Sequence, residues 1–261
     1  MTDMSRYMHG QFSWIDLMTP DLRASRMFYC ELFDWDMVDH PSDQAGLYVE
    51  FQFGGRSVAG MGAMPAELRN SGMPAVWSSY IDVDDVDATV EEAEALGATI
   101  EMPPTQVMAA GRMAILTDPV GAQISLWQAG EHIGAALVNH PTSLCWNELV
   151  TSNIDESIRF YRNLFDWKFR RSDDAGSTYY EILNEDRENG GMIEMTDDWG
   201  ATPPHWMPYI SVLDCDETIE KAIKLGATVE MDPIDIETGR FCVIIDPQGA
   251  PITAIKLDDP T

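Results

Sequence analysis

Apolar and polar positions alternate along "FSWIDLM" (12–18), the period of a strand with two distinct faces, and the alternation stops at "TPDL" (19–22). Thr19 stands where it would cap a helix that has Pro20 at its first position. The period then becomes helical and puts Phe28, Tyr29, Leu32 and Phe33 on one side, which predicts an amphipathic helix turned toward a core. Three short strands follow ("DMVD", "LYVEF", "RSVAGMGA"), then a proline-containing loop. A second round opens with the strand "VWSSYIDV" (76–83) and the helix "DDVDATVEEAEALG", ending at Gly97, where a left-handed cap is expected. Strands "ATIEM", "RMAILTD" and "AQISLW" close it, the last two joined by the turn "DPVG". This half of the chain reads β-α-β-β-β twice.

The same text then recurs. "FYCELFDW" (28–35) is answered by "FYRNLFDW" (160–167), and "WIDLMTPD" (14–21) by "WNELVTSN" (146–153). Further on, "LGATIEMPP" (96–104) matches "LGATVEMDP" (225–233), and "GRMAILTDPVGAQI" (111–124) matches "GRFCVIIDPQGAPI" (239–252). In the second copy "SNID" (152–155) has the spacing of a capping box, and Phe160, Tyr161, Leu164 and Phe165 repeat the apolar stripe. The chain is a tandem duplication of a unit of about 120 to 130 residues, an ordinary domain size. An α+β protein of four βαβββ modules is expected, with domains at 10–129 and 142–257 and a linker at 130–141. The pattern leaves open whether sheets close within each half or by exchange of modules.

Composition narrows the class. At 261 residues and 45% hydrophobic, the chain is long enough for two cores. No apolar run approaches the ~18 residues of a membrane span, and "MTDMSRYMHGQ" has no signal-peptide core, so a cytoplasmic, non-membrane protein is expected. Cys30, Cys145, Cys215 and Cys242 are widely spaced and read as reduced packed thiols. Forty-four acidic against 16 basic residues give a net charge of −28, which excludes nucleic acid as a partner for want of a basic footprint. The acidity fits either a solubilising surface or adaptation to high salt.

The module order, the "FY…LFDW" helix end, the "DVDDVDATVEEAEALGA" stretch and the closing "DPxGA" hairpin resemble the vicinal oxygen chelate superfamily of glyoxalases, bleomycin-resistance proteins and extradiol dioxygenases. The resemblance runs from about Gly10 to Leu257. It implies two cup-shaped sheets and, in metal-dependent members, a divalent ion held by residues of the first, fifth and last strands of each cup. Those positions fall on Trp14, Trp77 and Ser125, and on Trp146, Trp206 and Thr253. An indole N–H has no lone pair for a metal and a hydroxyl alone is a poor ligand, so no metal and no other cofactor is expected.

Asp16 and Glu148 lie two residues beyond Trp14 and Trp146, on the same strand face and hence inside the implied cups. Strand periodicity points His205 away from the cup, and His9, His40, His132 and His140 fall in the arm, a loop and the linker. Each cup then holds one acid among aromatics: Trp14, Asp16, Trp77 and Trp127 in the first, Trp146, Glu148 and Trp206 in the second. A plugged core of indoles is the plain alternative. Arg112 and Arg240, equivalent in the two halves, are expected to pair with carboxylates; anchoring an anionic ligand at the rim is the alternative. "GRSVAG" lacks the second glycine of a nucleophile elbow, and "GMG" lacks a phosphate loop's strand-to-helix context. Two function classes stand open. One is a protein that binds an apolar or aromatic small molecule in its cups; the other is a metal-independent, glyoxalase-like or hydroxylase-type enzyme using Asp16 and Glu148 as acid and base. The duplication suits a monomer that is its own pseudo-dimer, or a homodimer.

Overall fold

The computed structural model describes residues 2–42, 46–172 and 178–258. A short strand β1 (Thr2–Asp3) precedes the first module, which is β2 (Phe12–Thr19), α1 (Leu22–Phe33), β3 (Asp36–Ser42), β4 (Gly46–Phe53) and β5 (Arg56–Ala63). A short helix α2 (Ala66–Asn70), absent from the sequence reading, leads to the second module: β6 (Val76–Asp82), α3 (Val86–Ala95), β7 (Thr99–Val107), β8 (Gly111–Thr117) and β9 (Gln123–Ala129). After β10 (Leu137–Val138) the third module comprises β11 (Leu144–Thr151), α4 (Ile154–Phe165), β12 (Lys168–Ser172), β13 (Tyr179–Asn184) and β14 (Arg187–Glu194). A 3-10 turn at Asp197–Trp199 precedes the fourth: β15 (His205–Ser211), α5 (Cys215–Lys224), β16 (Thr228–Ile236), β17 (Gly239–Ile245) and β18 (Pro251–Leu257).

Each half closes its own eight-stranded mixed sheet, in the orders β3-β4-β5-β2-β6-β9-β8-β7 and β12-β13-β14-β11-β15-β18-β17-β16. The first strand of each module runs parallel to its last, and two modules meet antiparallel through β2–β6 or β11–β15. No helix of the described residues is long and apolar enough to cross a membrane.

The helix starts differ from expectation by two residues or one. Asp21 caps α1 by accepting from the Ala24 N–H, and Asn153 caps α4 by accepting from Glu156 N–H. Thr19 and Thr151 instead turn inward, their hydroxyls bonded to Ser25 and Ser157 at 2.8 Å. Gly97 follows α3 with φ of +100°, a conformation that favours glycine.

Although the sheets are separate, the cores are not. One apolar cluster joins Ile15, Tyr29 and Phe33 of the first module to Ile210, Ile219 and Ile252 of the fourth; a second joins the second module to the third. The repeated octapeptide makes this junction. Trp77 Nε1 donates to the Tyr29 hydroxyl (2.9 Å), which donates to Asp246 Oδ2 across the halves (2.9 Å). The reciprocal chain runs Trp206 Nε1 to Tyr161 hydroxyl (2.9 Å) to Asp118 Oδ2 (3.0 Å). Both aspartates come from the "DP" turns, where Oδ1 already accepts backbone N–H groups. The last residue of each octapeptide also crosses: Trp35 Nε1 donates to Thr142 O (2.7 Å) and Trp167 Nε1 to Gly10 O (2.9 Å). "FY…LFDW" is therefore a clasp between the two halves.

Candidate functional site

On the face of each sheet turned from the helices, one carboxyl is held by two tyrosines beside a tryptophan. In the first cup β2 presents Trp14 and Asp16 on that face, past a bulge between Phe12 and Trp14. Tyr80 of β6 donates to Asp16 Oδ2 (2.9 Å), and Tyr48 of β4 hydrogen-bonds the same carboxyl while accepting from Trp14 Nε1 (2.9 Å). The second cup repeats this: Tyr209 donates to Glu148 Oε1 (3.0 Å), Tyr179 also bonds Glu148, and Trp146 Nε1 donates to Tyr179 (3.2 Å). A glycine makes room in each case, since a side chain at Gly60 or Gly191 would collide with the Tyr48 or Tyr179 hydroxyl.

Burial dominates the electrostatics. It pushes the Asp16 pKa up from 3.8 to about 6, against the tyrosine hydrogen bonds that favour the charged form. Glu148 is raised for the same reason, again against two tyrosine bonds. The tyrosine hydroxyls are held well above their usual range by burial and by the carboxyl beside them, so they act as donors and not as bases.

Ser125 and Trp127 stand on the cup face of β9; Ser125 pairs with Tyr80 and Trp127 packs with Trp14 and Tyr80. Thr253 pairs with Tyr209 in the second cup, and its fully buried hydroxyl has no hydrogen-bond partner. Trp77 and Trp206 are not in the cups, contrary to the sequence reading. Trp77 lies opposite Leu17 and Trp206 opposite Leu149, on the helix side, where both serve the clasp. The cup side of β15 instead carries His205, Met207 and Tyr209, so His205 faces opposite to expectation; its Nδ1 is 2.9 Å from Pro203 O. Arg112 and Arg240 are engaged with helix starts: Arg112 grips Asp87 at 2.9 and 2.8 Å, and Arg240 grips Asp216 at 2.9 and 3.0 Å. His132, assigned to the linker, sits in the first cup with its ring 4.6 Å from that of Trp14. The four tyrosines went unread. Their signal was the repeat itself, "LYVEF" (47–51) against "TYYEI" (178–182) and "SYIDV" (79–83) against "PYISV" (208–212).

The residues of the cups do not fit the divalent ion that the resemblance implies. The indoles of Trp14 and Trp146 present N–H donors already bonded to tyrosine, and two further assigned positions face the helices. A second carboxyl does reach each cup face, Glu50 or Glu181, contrary to the sequence reading of one acid per cup, but it is engaged by Gln52 and Ser57 or by Arg170. Among the described residues no three His, Cys, Asp or Glu side chains gather to hold an ion. Metal analysis of protein purified without chelator is expected to find well below one equivalent of Zn, Ni, Mn or Fe per chain, with melting unchanged by EDTA. Stoichiometric metal located in a cup would overturn the reading of this donor set.

Known proteins agree with this architecture. The sequence profile of the Glyoxalase/Bleomycin resistance protein/Dioxygenase superfamily matches residues 11–126 and 138–253. The chain is 39% identical over 259 residues to the "Putative glyoxylase CFP32" of Mycobacterium tuberculosis (strain CDC 1551 / Oshkosh), covering 98% of each. It is 34% identical over 264 residues to the "Anthracycline biosynthesis protein DauV" of Streptomyces sp. (strain C5), covering 97% of this chain and 96% of that one. In fold it is similar to the Mn(II)-bound glyoxalase from Novosphingobium aromaticivorans, with a TM-score of 0.61 at 15% identity, over 97% of this chain and 86% of that one. The 2,3-dioxygenase LapB from Pseudomonas sp. KL28 gives a TM-score of 0.61 at 16% identity, over 96% and 93%. With the family profile matching both halves and relatives matching end to end, the chain belongs to the Glyoxalase/Bleomycin resistance protein/Dioxygenase superfamily, in a tandem, two-sheet form.

Proposed function

We propose that the protein binds a small, flat, largely apolar molecule in its aromatic-lined cups, with the carboxyl of Asp16 or Glu148 meeting a polar atom of that ligand. The observation that carries this reading is the carboxyl–tyrosine–tryptophan set built in both cups, with a buried carboxyl at its centre. Asn or Gln would accept the tyrosine hydrogen bonds without the cost of burying a charge. An acid kept at both places is in keeping with a group that exchanges hydrogen bonds with something entering the cup. The relative named an anthracycline biosynthesis protein is in keeping with a small-molecule ligand. Four free thiols accord with action in the cytoplasm.

A second reading, an acid–base enzyme, rests on the same carboxyl. A group with a pKa of about 6 has both protonation states within reach near neutral pH, which general acid–base catalysis requires. The relative named a putative glyoxylase supports it.

Replacing Asp16 by Asn and Glu148 by Gln together is expected to weaken ligand binding by about 1.5 to 3 kcal/mol, the loss of a charge-assisted hydrogen bond. Isothermal titration with a compound selected by tryptophan-fluorescence quenching measures it. Unchanged affinity, or a ligand located outside the cups, sinks the assignment; loss of turnover with binding retained favours the enzyme.

A further inference from the structure

The two cups are built alike but are not equally open. In the first, the segment after β9 crosses the indole end of the sheet. Its backbone is stapled there: His132 N–H donates to Ala110 O (3.0 Å), Ala135 N–H to Ser13 O (2.7 Å) and Ala136 N–H to Ser57 O (2.8 Å). Trp127 Nε1 donates to His132 O (2.9 Å) and the Tyr7 hydroxyl to Ala135 O (2.7 Å). Gly134, at φ of +100°, lets the segment press so close that a side chain there would collide with the Ser13 carbonyl. The result is a flat ring seated in the cup. His132 stands edge-on to Trp14 at 4.6 Å and to Trp127 at 5.9 Å, and Trp14 is left only 4% exposed. His132 Nε2 is buried with no hydrogen-bond partner, and burial lowers the imidazole's pKa against the pull of the Glu50 carboxylate, which favours the uncharged ring.

In the second cup the corresponding indole, Trp146, is half-buried, and among the described residues, which do not include 259–261, the positions answering to 131–133, no aromatic pair involves it. Ile255 stands in place of Trp127. The Thr253 hydroxyl beside Tyr209 lacks a partner, whereas Ser125 in the first cup bonds Tyr80. A half-buried indole on β11 and, across β15, an unsatisfied buried hydroxyl on β18 leave one polar place of this cup unfilled.

We propose that residues 131–138 are an internal occupant of the first cup, so that a flat, uncharged ring from solution has one site per chain, on Trp146 of the second cup, with Thr253 and Glu148 taking its polar atoms. His132 is the chain's own stand-in for that ligand: planar, neutral, and held by ring edges. The ring class rests on the small-molecule reading above; the occupancy of the first cup does not.

Two measurements separate these. Hydroxyl-radical footprinting of the full chain, read by peptide mass spectrometry, is expected to oxidise Trp146 several-fold faster than Trp14, and His132→Ala to raise the rates of Trp14 and Trp127 while leaving that of Trp146 unchanged. Equal rates for the two indoles in the parent chain overturn the occupancy. Titration with alizarin, a planar polycyclic quinone, is expected to saturate at one equivalent per chain and to weaken about three- to tenfold in Trp146→Leu, the loss of an aromatic contact. His132→Ala is expected to admit a second equivalent. Two equivalents on the parent chain, or a Trp146→Leu variant that binds alizarin undiminished, overturn the one-site assignment. No alizarin binding alongside unequal oxidation overturns the ring class, and with it the flat-ligand reading, while upholding the filled first cup.

Discussion

Replacing Tyr29 and Tyr161 together by phenylalanine is expected to cost about 4 to 6 kcal/mol of stability, roughly half from each, although both rings keep their packing. Each hydroxyl is the sole partner of two buried groups in different halves. Without Tyr29, Trp77 Nε1 has no acceptor and Asp246 Oδ2 no donor; without Tyr161, Trp206 Nε1 and Asp118 Oδ2 are stranded likewise. A lost hydrogen bond on the surface costs little, but an orphaned donor and half-orphaned carboxylate in an apolar core pay the whole desolvation penalty. Urea unfolding of both single variants and the double gives the values. A double variant within about 1 kcal/mol of the parent would show that the clasp is incidental to stability.

The Asp16→Asn variant is expected to be more stable than the parent above pH 6, the gain disappearing toward pH 4. Folding raises the Asp16 pKa from 3.8 to about 6. The native state therefore holds this proton more tightly than the unfolded chain, and the favourable contribution is complete below the unfolded pKa and lost as pH rises through the folded one. At neutral pH the charged carboxylate opposes folding by up to about 3 kcal/mol, a cost that Asn does not carry. Glu148→Gln has the same sign, since its pKa is raised too. Thermal melts of parent and variant across pH 4 to 8 supply the test: a constant difference in Tm would mean that Asp16 is not desolvated in the folded state.

Much of this architecture could be read from periodicity because the modules repeat. Strand alternation placed Trp14 and Asp16 on one face, and the octapeptide's helical stripe placed Phe28, Tyr29, Leu32 and Phe33 in a core. What failed was register. "VWSSYID" offers an indole on one face and a phenol on the other, and only its pairing decides which enters the cup; Asp16 lies opposite Ser78 and Leu17 opposite Trp77, so the indole goes to the helices. A shift of one residue moved Trp77, Trp206 and His205 to the wrong sides at once. The partners of Tyr29 and Tyr161 lie in the other half of the chain, beyond the reach of any local pattern. The segment over the first cup reads as an ordinary linker because its hold is made by backbone groups, which every residue possesses.

The clasp also bears on how such a chain came to have two different cups. Tyr29 reaches the turn at Asp246 while Tyr161 reaches the matching turn at Asp118, so the contact is isologous, the kind that joins two identical subunits about a twofold axis. Covalent fusion turns that association into an intramolecular one, independent of protein concentration. It also lifts symmetry's constraint, because a substitution in one subunit of a homodimer appears in both. In a fused pair one cup can acquire His132 and close, while its twin stays open and the shared interface is untouched.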